Sequence, residues 1–401
     1  MSRRRKASVP DLACFGGAPS FDRPLHVAHA SATQKERFYR LLDGVFERGQ
    51  FTNDGPLVHE LEERIAGRLG VKHCLAICNG TAALEIAARA AGMQGEVIAP
   101  SFTFVATAHA LQWQGIRPVF CDIDPATHTL DPARAAQLIT PRTGGIVGVH
   151  LWGRPCEIGA LTALARDHGV PLLFDAAHAF GASHNGVMVG NFGSAEVFSF
   201  HATKLFHTFE GGAITTNDDD LAARVRLLRN FGFVDYDKVV GIGINGKMSE
   251  VSAAMGLAGL EVLDDVIAAN RERHLCYSRN LTGVTGIALQ ECSPQESNGQ
   301  YVVIEVDAEV CGMSRDQLLR VLHAENVVAR RYFYPGCHRM EPYRSLDPGA
   351  GRRLVNTERV AERVIVLPSS ERIDAPAIEQ LCELLRFAAA NGAGIAARLN
   401  E

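Results

Sequence analysis

The run Phe198-Ser199-Phe200-His201-Ala202-Thr203-Lys204 sets a lysine shortly after a serine, and Glu210-Gly211-Gly212 follows closely. Upstream, Leu173-Phe174-Asp175-Ala176-Ala177-His178 ends an apolar run on an acid. A lysine in a shielded pocket can lose its proton and attack a carbonyl to give a Schiff base. An aspartate beside a pyridine nitrogen keeps that nitrogen protonated, so that the ring accepts electrons. Asn79-Gly80-Thr81 opens a helical pattern after another apolar run. Glycine there lets the backbone approach an anion, amides at a helix N-terminus attract it, and the hydroxyls of Thr81 and Ser199 add to the cradle. This is the layout of a pyridoxal 5'-phosphate (PLP) site, with Lys204 and Asp175 as the catalytic pair.

Further residues gather around that core. Within Ser101-Phe102-Thr103-Phe104, Phe104 is the candidate to stack on the cofactor ring and Phe102 the core-packing alternative. His178 belongs either beside the ring and its O3′ oxygen or to the turn as a structural histidine. The loop from Gly241 to Glu250 is glycine-rich and feeds a helix. It lacks the G-x-G-x-x-G spacing of a dinucleotide site, so NAD is not expected, and it has the means to carry polar groups to a phosphate, including one in a partner subunit. Arg330-Arg331-Tyr332-Phe333-Tyr334-Pro335-Gly336-Cys337-His338 mixes cations with aromatics, a combination suited to a diphosphate and a stacked sugar or base, or to packing between domains.

These residues need elements to position them. Short apolar runs at 73–78, 96–99, 118–122, 145–149, 171–175, 196–200 and 212–215 alternate with helical patterns such as 81–91 and 160–168. Continuous apolar runs of this kind predict strands buried on both faces, hence an α/β fold with a mostly parallel sheet. Ligands of such sheets bind beyond the carboxyl ends of the strands. Asn79 to Thr81, Ser101 to Phe104, His150, Asp175 and Ser199 to Lys204 all fall there. From 249 a long helix continuing past 270 leads to a different unit, with strands at 301–306 and 327–330 and helices at 315–324 and 376–390. The expected division is an N-terminal arm and large PLP-binding domain over 1–260, then a small C-terminal α+β domain over 261–401.

Composition narrows the class. The chain has 401 residues, 47% hydrophobic, with 40 basic against 45 acidic side chains and a net charge of −5. That balance gives no reason to expect nucleic acid or an anionic membrane. Arg3-Arg4-Arg5-Lys6 reads as a disordered, solvated end. No apolar run is long enough for a transmembrane helix, and no export signal follows the basic start. The ten cysteines are scattered without a C-x-x-C pair, so free thiols in a reducing cytoplasm are expected and a zinc site is not.

The motifs together resemble the DegT/DnrJ/EryC1/StrS sugar aminotransferases, fold-type I PLP enzymes related to aspartate aminotransferase. The resemblance spans residues 49–338 and rests on Thr52-Asn53-Asp54-Gly55-Pro56, Asn79-Gly80-Thr81-Ala82-Ala83-Leu84, Pro100-Ser101-Phe102-Thr103-Phe104, Asp175-Ala176-Ala177-His178, Ser199 to Lys204, and Asn245 with Lys247-Met248-Ser249-Glu250. It implies that Lys204 is the Schiff-base lysine, Asp175 the pyridinium partner, and Ser199 and Thr81, with Gly80, the phosphate ligands. It also implies an aromatic on the ring at Phe104 and a ring neighbour at His178. Asn245, or Lys247 in its stead, would reach the neighbouring active site of a homodimer. Thr52, Lys247, Tyr332, Tyr334 and His338 are the candidate substrate contacts. The family aminates keto groups of nucleotide-linked deoxysugars with L-glutamate as donor. The segment 200–212 is most similar to members acting at C4 of dTDP-4-keto-6-deoxyglucose. A 3-keto sugar, a keto-inositol or a non-catalytic regulatory role are the alternatives.

Overall fold

The computed structural model describes residues 4–28, 34–291, 293 and 295–400. Seven strands form its main sheet: β1 (His73–Ile77), β2 (Glu96–Pro100), β3 (Arg117–Cys121), β4 (Thr143–Val149), β5 (Leu172–Asp175), β6 (Ala195–Ser199) and β7 (Gly212–Thr216), in the spatial order β1-β7-β6-β5-β4-β2-β3. Only β7 runs antiparallel to its neighbours. Each predicted run became a strand, because sheets covered on both faces demand apolar side chains at every position. Val97, Val147, Leu173 and Val197 face a cluster with the helix α1 (Gly80–Ala90). Ile98, Ile146, Leu172 and Phe174 face the opposite one, with the helix Ile158–Asp167.

The long helix expected from 249 is interrupted. Glu250–Leu260 ends at Glu261, Val262 leaves the helical region at φ −114° and ψ 4°, and Leu263–Leu281 starts anew. The first segment is buried nearly throughout, whereas the second alternates buried and exposed residues, so the break separates a core helix from an amphipathic one. Ser249 caps the first by accepting from Ser252 N at 3.1 Å.

Beyond it, Ile287–Leu289, Val302–Val306 and Val364–Leu367 make a three-stranded antiparallel sheet covered by Arg315–Ala324 and Ala375–Ala390. The expected strand at 327–330 shortens to Val327–Val328, which pairs in parallel with Leu25–His26. Leu12, Phe21 and Leu25 enter this same C-terminal core. The basic start is therefore tied to the fold through Lys6, while the Arg4 and Arg5 side chains remain exposed. Lys6 Nζ lies 2.9 Å from Glu325, with both side chains buried. Glu325 also accepts from Ala13 N and Ser20 N, and Arg5 pairs with Glu383 at 2.6 Å. Arg3, the first residue of that cluster, lies outside the described residues, as does Cys292. The nine described cysteines are all free thiols. Among the described residues no helix is long and apolar enough to cross a membrane.

Candidate active site

The site is built where β1, β4, β5 and β6 end and the antiparallel β7 begins, Gly212 pairing with Ile77 and Ser199. Asn79 caps α1, its side chain accepting from Ala82 N at 2.8 Å, and leaves Thr81 exposed on the first turn. Gly80 needs its missing side chain: a Cβ there would lie 2.9 Å from Ser199 Cβ. At Gly212 a Cβ would lie 2.9 Å from Gly80 N. The two glycines thus let β6 and β7 bring the Ser199 hydroxyl against the start of a helix, a cradle for an anion of phosphate size.

Asp175 ends β5 and is 5% exposed. Its Oδ2 accepts from the Thr107 hydroxyl at 2.7 Å and its Oδ1 from Ala177 N at 3.0 Å. Burial raises its carboxyl above the ordinary aspartate range, and those two hydrogen bonds and the charge of Lys204 oppose the rise. Lys204 follows β6 in a turn closed by its N–H to His201 O at 2.9 Å. Burial brings its amine down to about 8, against the pull of Asp175. The amine is accordingly within reach of its neutral, nucleophilic form at ordinary pH.

His178 packs 4.5 Å from Tyr301, ring centroid to ring centroid, and lies nearly parallel to Trp152 and Phe333. Asn298 fixes its main chain by donating to His178 O at 2.8 Å. Burial and the Lys204 charge hold the imidazole well below its usual range, hence neutral, and its Nδ1 is buried with no hydrogen-bond partner among the described residues. Phe102 is fully buried, edge-on to Phe333 and Trp152, whereas Phe104 is 59% exposed. Of the two phenylalanines, only Phe104 presents ring surface to a ligand.

The glycine-rich loop lies against the end of β1, where Cys78 N donates to Gly246 O at 2.7 Å. Asn245 is exposed on it. Lys247 is engaged within the chain, donating to Asn230 Oδ1 at 3.0 Å and sitting 4.8 Å from the centre of the Phe231 ring. Thr52 is exposed in a turn that Arg229 grips through Asp54 at 2.7 Å. Tyr334, 40% exposed, has the guanidinium groups of Arg315 and Arg331 at 4.9 and 4.4 Å from its ring centre, and Tyr332 stacks on Phe333. His338 departs from the expected substrate contact. It is buried, with Nδ1 2.7 Å from the Ser101 hydroxyl and Nε2 2.7 Å from Glu358, so both ring nitrogens are already committed. Thr107, Trp152 and Tyr301, which motif reading passed over, complete the walls.

An α/β sheet with this lysine, acid and anion cradle at its carboxyl end is the fold of the fold-type I PLP-dependent transferases. Residues 32–386 match the DegT/DnrJ/EryC1/StrS aminotransferase family, and the chain belongs to that family. It is 38% identical over 366 residues to the dTDP-4-amino-4,6-dideoxy-D-glucose transaminase of Shigella dysenteriae, covering 91% of this chain and 99% of the relative. The Escherichia coli enzyme of the same name is 34% identical over 368 residues, 91% of this chain and 98% of the relative. Among solved structures, DesI in the presence of its TDP-sugar product is 46% identical and superposes with a TM-score of 0.92, over 98% of this chain and 100% of that one.

Proposed function

We propose that the protein is a PLP-dependent aminotransferase that moves the amino group of L-glutamate to C4 of a nucleotide-linked 4-keto-6-deoxy sugar, dTDP-4-keto-6-deoxyglucose above others. The observation that carries this reading is the lowered amine of Lys204 beside the buried carboxylate of Asp175, in a chain similar along nearly the whole length of two transaminases that form such a 4-amino sugar.

The donor set fits PLP. Ser199, Thr81 and the start of α1 would hold its phosphate, Asp175 its ring nitrogen, and Phe104 one face of its ring. The unpartnered Nδ1 of His178 suits a polar atom on the ring. When bound, PLP supplies a protonated ring that takes up the electron pair released at the donor's Cα. The chain's residues do the rest. Asp175, whose charged form the hydrogen bonds from Thr107 and Ala177 favour, would stabilise the proton on the ring nitrogen. Lys204, in its neutral form, takes the proton from the donor's Cα and returns it at C4′, and the keto sugar then receives the amine by the reverse transfer. The aromatic wall of Trp152, Tyr301 and Phe333 keeps water from that transfer.

Asn245 would serve the neighbouring site of a homodimer, and Thr52, Tyr332 and Tyr334 would hold the nucleotide sugar. Lys247, already bonded to Asn230, and His338, bonded to Ser101 and Glu358, would shape that surface rather than bind on it. A cytoplasmic enzyme fits the free cysteines. We also divide the chain near residue 260, with residues 4–28 assigned to the C-terminal domain whose core they enter.

Addition of L-glutamate to the PLP-loaded protein tests the first half of this reading. Conversion of the cofactor to its amine form with stoichiometric 2-oxoglutarate is expected. An unchanged visible spectrum with no 2-oxoglutarate would overturn it.

A further inference from the structure

On the face of the sheet opposite the Asp175 carboxylate, two polar side chains are wholly buried and take no part in the chemistry above. His150 follows β4 and Glu196 lies within β6, both at 0% exposure. His150 Nε2 is 2.7 Å from Glu196 Oε1. Cys156 N points its proton at His150 Nδ1, 3.1 Å away. A backbone N–H can only donate, so Nδ1 carries a lone pair and the ring proton sits on Nε2, donated to Glu196. The other oxygen of Glu196 accepts from Gly190 N and from Phe192 N, the latter at 3.0 Å. The imidazole stacks on Phe174, the residue before Asp175, at 4.8 Å and 18°. The main chain closes the circuit: His150 N donates to Asp175 O at 2.9 Å, and Ala176 N to Val197 O at 2.8 Å.

Every donor and acceptor of this pair is matched, which makes its geometry stiff and costly to disturb. A buried polar pair in the middle of a sheet core needs a reason, since an apolar pair would pack there without a desolvation cost. The reason on the page is position. The pair links the residue after β4 to the second residue of β6 across Phe174, whose register partner is Glu196, and so braces the backbone next to Asp175, which must not move if its carboxylate is to meet a ring nitrogen.

We propose that His150 and Glu196 form a positioning pair that fixes the Asp175 carboxylate for the cofactor's ring nitrogen. This rests on the PLP reading above. Asp175 is held from both sides of the sheet: Thr107 and Ala177 set the carboxylate, and the His150–Glu196 link sets the strand end that carries it.

The test compares isosteres. His150→Asn keeps an acceptor for Cys156 N and loses the reach to Glu196. His150→Gln keeps a donor to Glu196. Leu161→Ala, in the apolar cluster on the same face, is the control for plain loss of stability. For each purified protein the readouts are the dissociation constant for PLP and the pH midpoint of the bound cofactor's visible absorbance. His150→Asn is expected to weaken PLP binding ~10-fold and to move the midpoint by at least about half a pH unit. His150→Gln should stay near the wild type, and Leu161→Ala should lose melting temperature without moving the midpoint. A wild-type constant and midpoint in His150→Asn, or an equal shift in Leu161→Ala, would overturn the proposal. Failure of the wild-type protein itself to bind PLP would instead overturn the reading on which it rests.

Discussion

The Thr107 hydroxyl donates a 2.7 Å hydrogen bond to Asp175 Oδ2, across a separation of 68 residues. Thr107 lies in the helix Val105–Gln112, which begins directly after Phe104. One short segment therefore carries both the exposed ring and a donor that favours the charged form of the acid. Thr107→Val removes the donor at nearly constant volume. A hydrogen bond to a charged group is worth about 1.5–3 kcal/mol, so kcat is expected to fall on the order of 10-fold or more while the KM for the sugar nucleotide barely changes. Steady-state kinetics on the two proteins checks this.

Gly80 offers a second, purely steric test. A methyl group there meets Ser199 Cβ at 2.9 Å. Gly80→Ala should still fold, since alanine suits the first turn of a helix. The added Cβ displaces the Ser199 hydroxyl from the cradle, so PLP affinity should drop by at least about 10-fold, the loss expected when a charge-assisted contact goes. Equilibrium dialysis of PLP, with melting curves of both apoproteins, separates the two effects.

The lowered amine of Lys204 predicts a pH dependence with a defined sign. Its folded value of about 8 lies below the free-lysine value of 10.5. From about pH 8 to 10.5 the lysine of the unfolded chain holds a proton that the folded chain has released, so the contribution of Lys204 to apoprotein stability rises with pH across that window, against the opposite slope of the buried cysteines. Lys204→Met should remove that contribution in chemical denaturation. In the wild-type apoprotein the rate of PLP capture should climb through a midpoint near pH 8, because the neutral amine is the nucleophile.

His338 bridges Ser101 and Glu358, and its backbone N–H also donates to the Ser101 hydroxyl at 3.0 Å. The aromatic loop carrying Tyr332 and Tyr334 is thereby pinned to the segment that presents Phe104. His338→Ala removes both ring hydrogen bonds, although Ser101 keeps the backbone N–H of residue 338 and Glu358 keeps Arg339; an expected loss of about 1–3 kcal/mol in urea unfolding follows from the lost bonds and the emptied space. An unchanged unfolding midpoint would argue against that pin.

Sequence alone reached the sheet and its ligand end because period and motif are local properties. The run at 171–175 became Leu172–Asp175 and that at 196–200 became Ala195–Ser199. What stayed hidden depends on partners distant in sequence. Nothing in an isolated histidine shows that His338 is spent on Ser101 and Glu358 rather than offered to substrate. Nothing around Thr107 announces its bond to Asp175. The choice between Phe102 and Phe104 turned on burial, which neighbouring residues could not reveal. Lys6 reads as part of a solvated tag because its partner, Glu325, lies more than three hundred residues further along the chain. His150 did signal its place, at a strand end among the chemically suggestive residues, but its link to Glu196 required the sheet register.

The central claim is amine transfer to C4 of a nucleotide-linked keto sugar. The most direct measurement incubates PLP-loaded protein with L-glutamate and dTDP-4-keto-6-deoxyglucose and identifies the product by mass and NMR. The account predicts a dTDP-linked 4-amino-4,6-dideoxy sugar, absent with Lys204→Ala. No amino sugar, from protein that still converts glutamate to 2-oxoglutarate, would contradict the assigned acceptor and direct the search to 3-keto sugars.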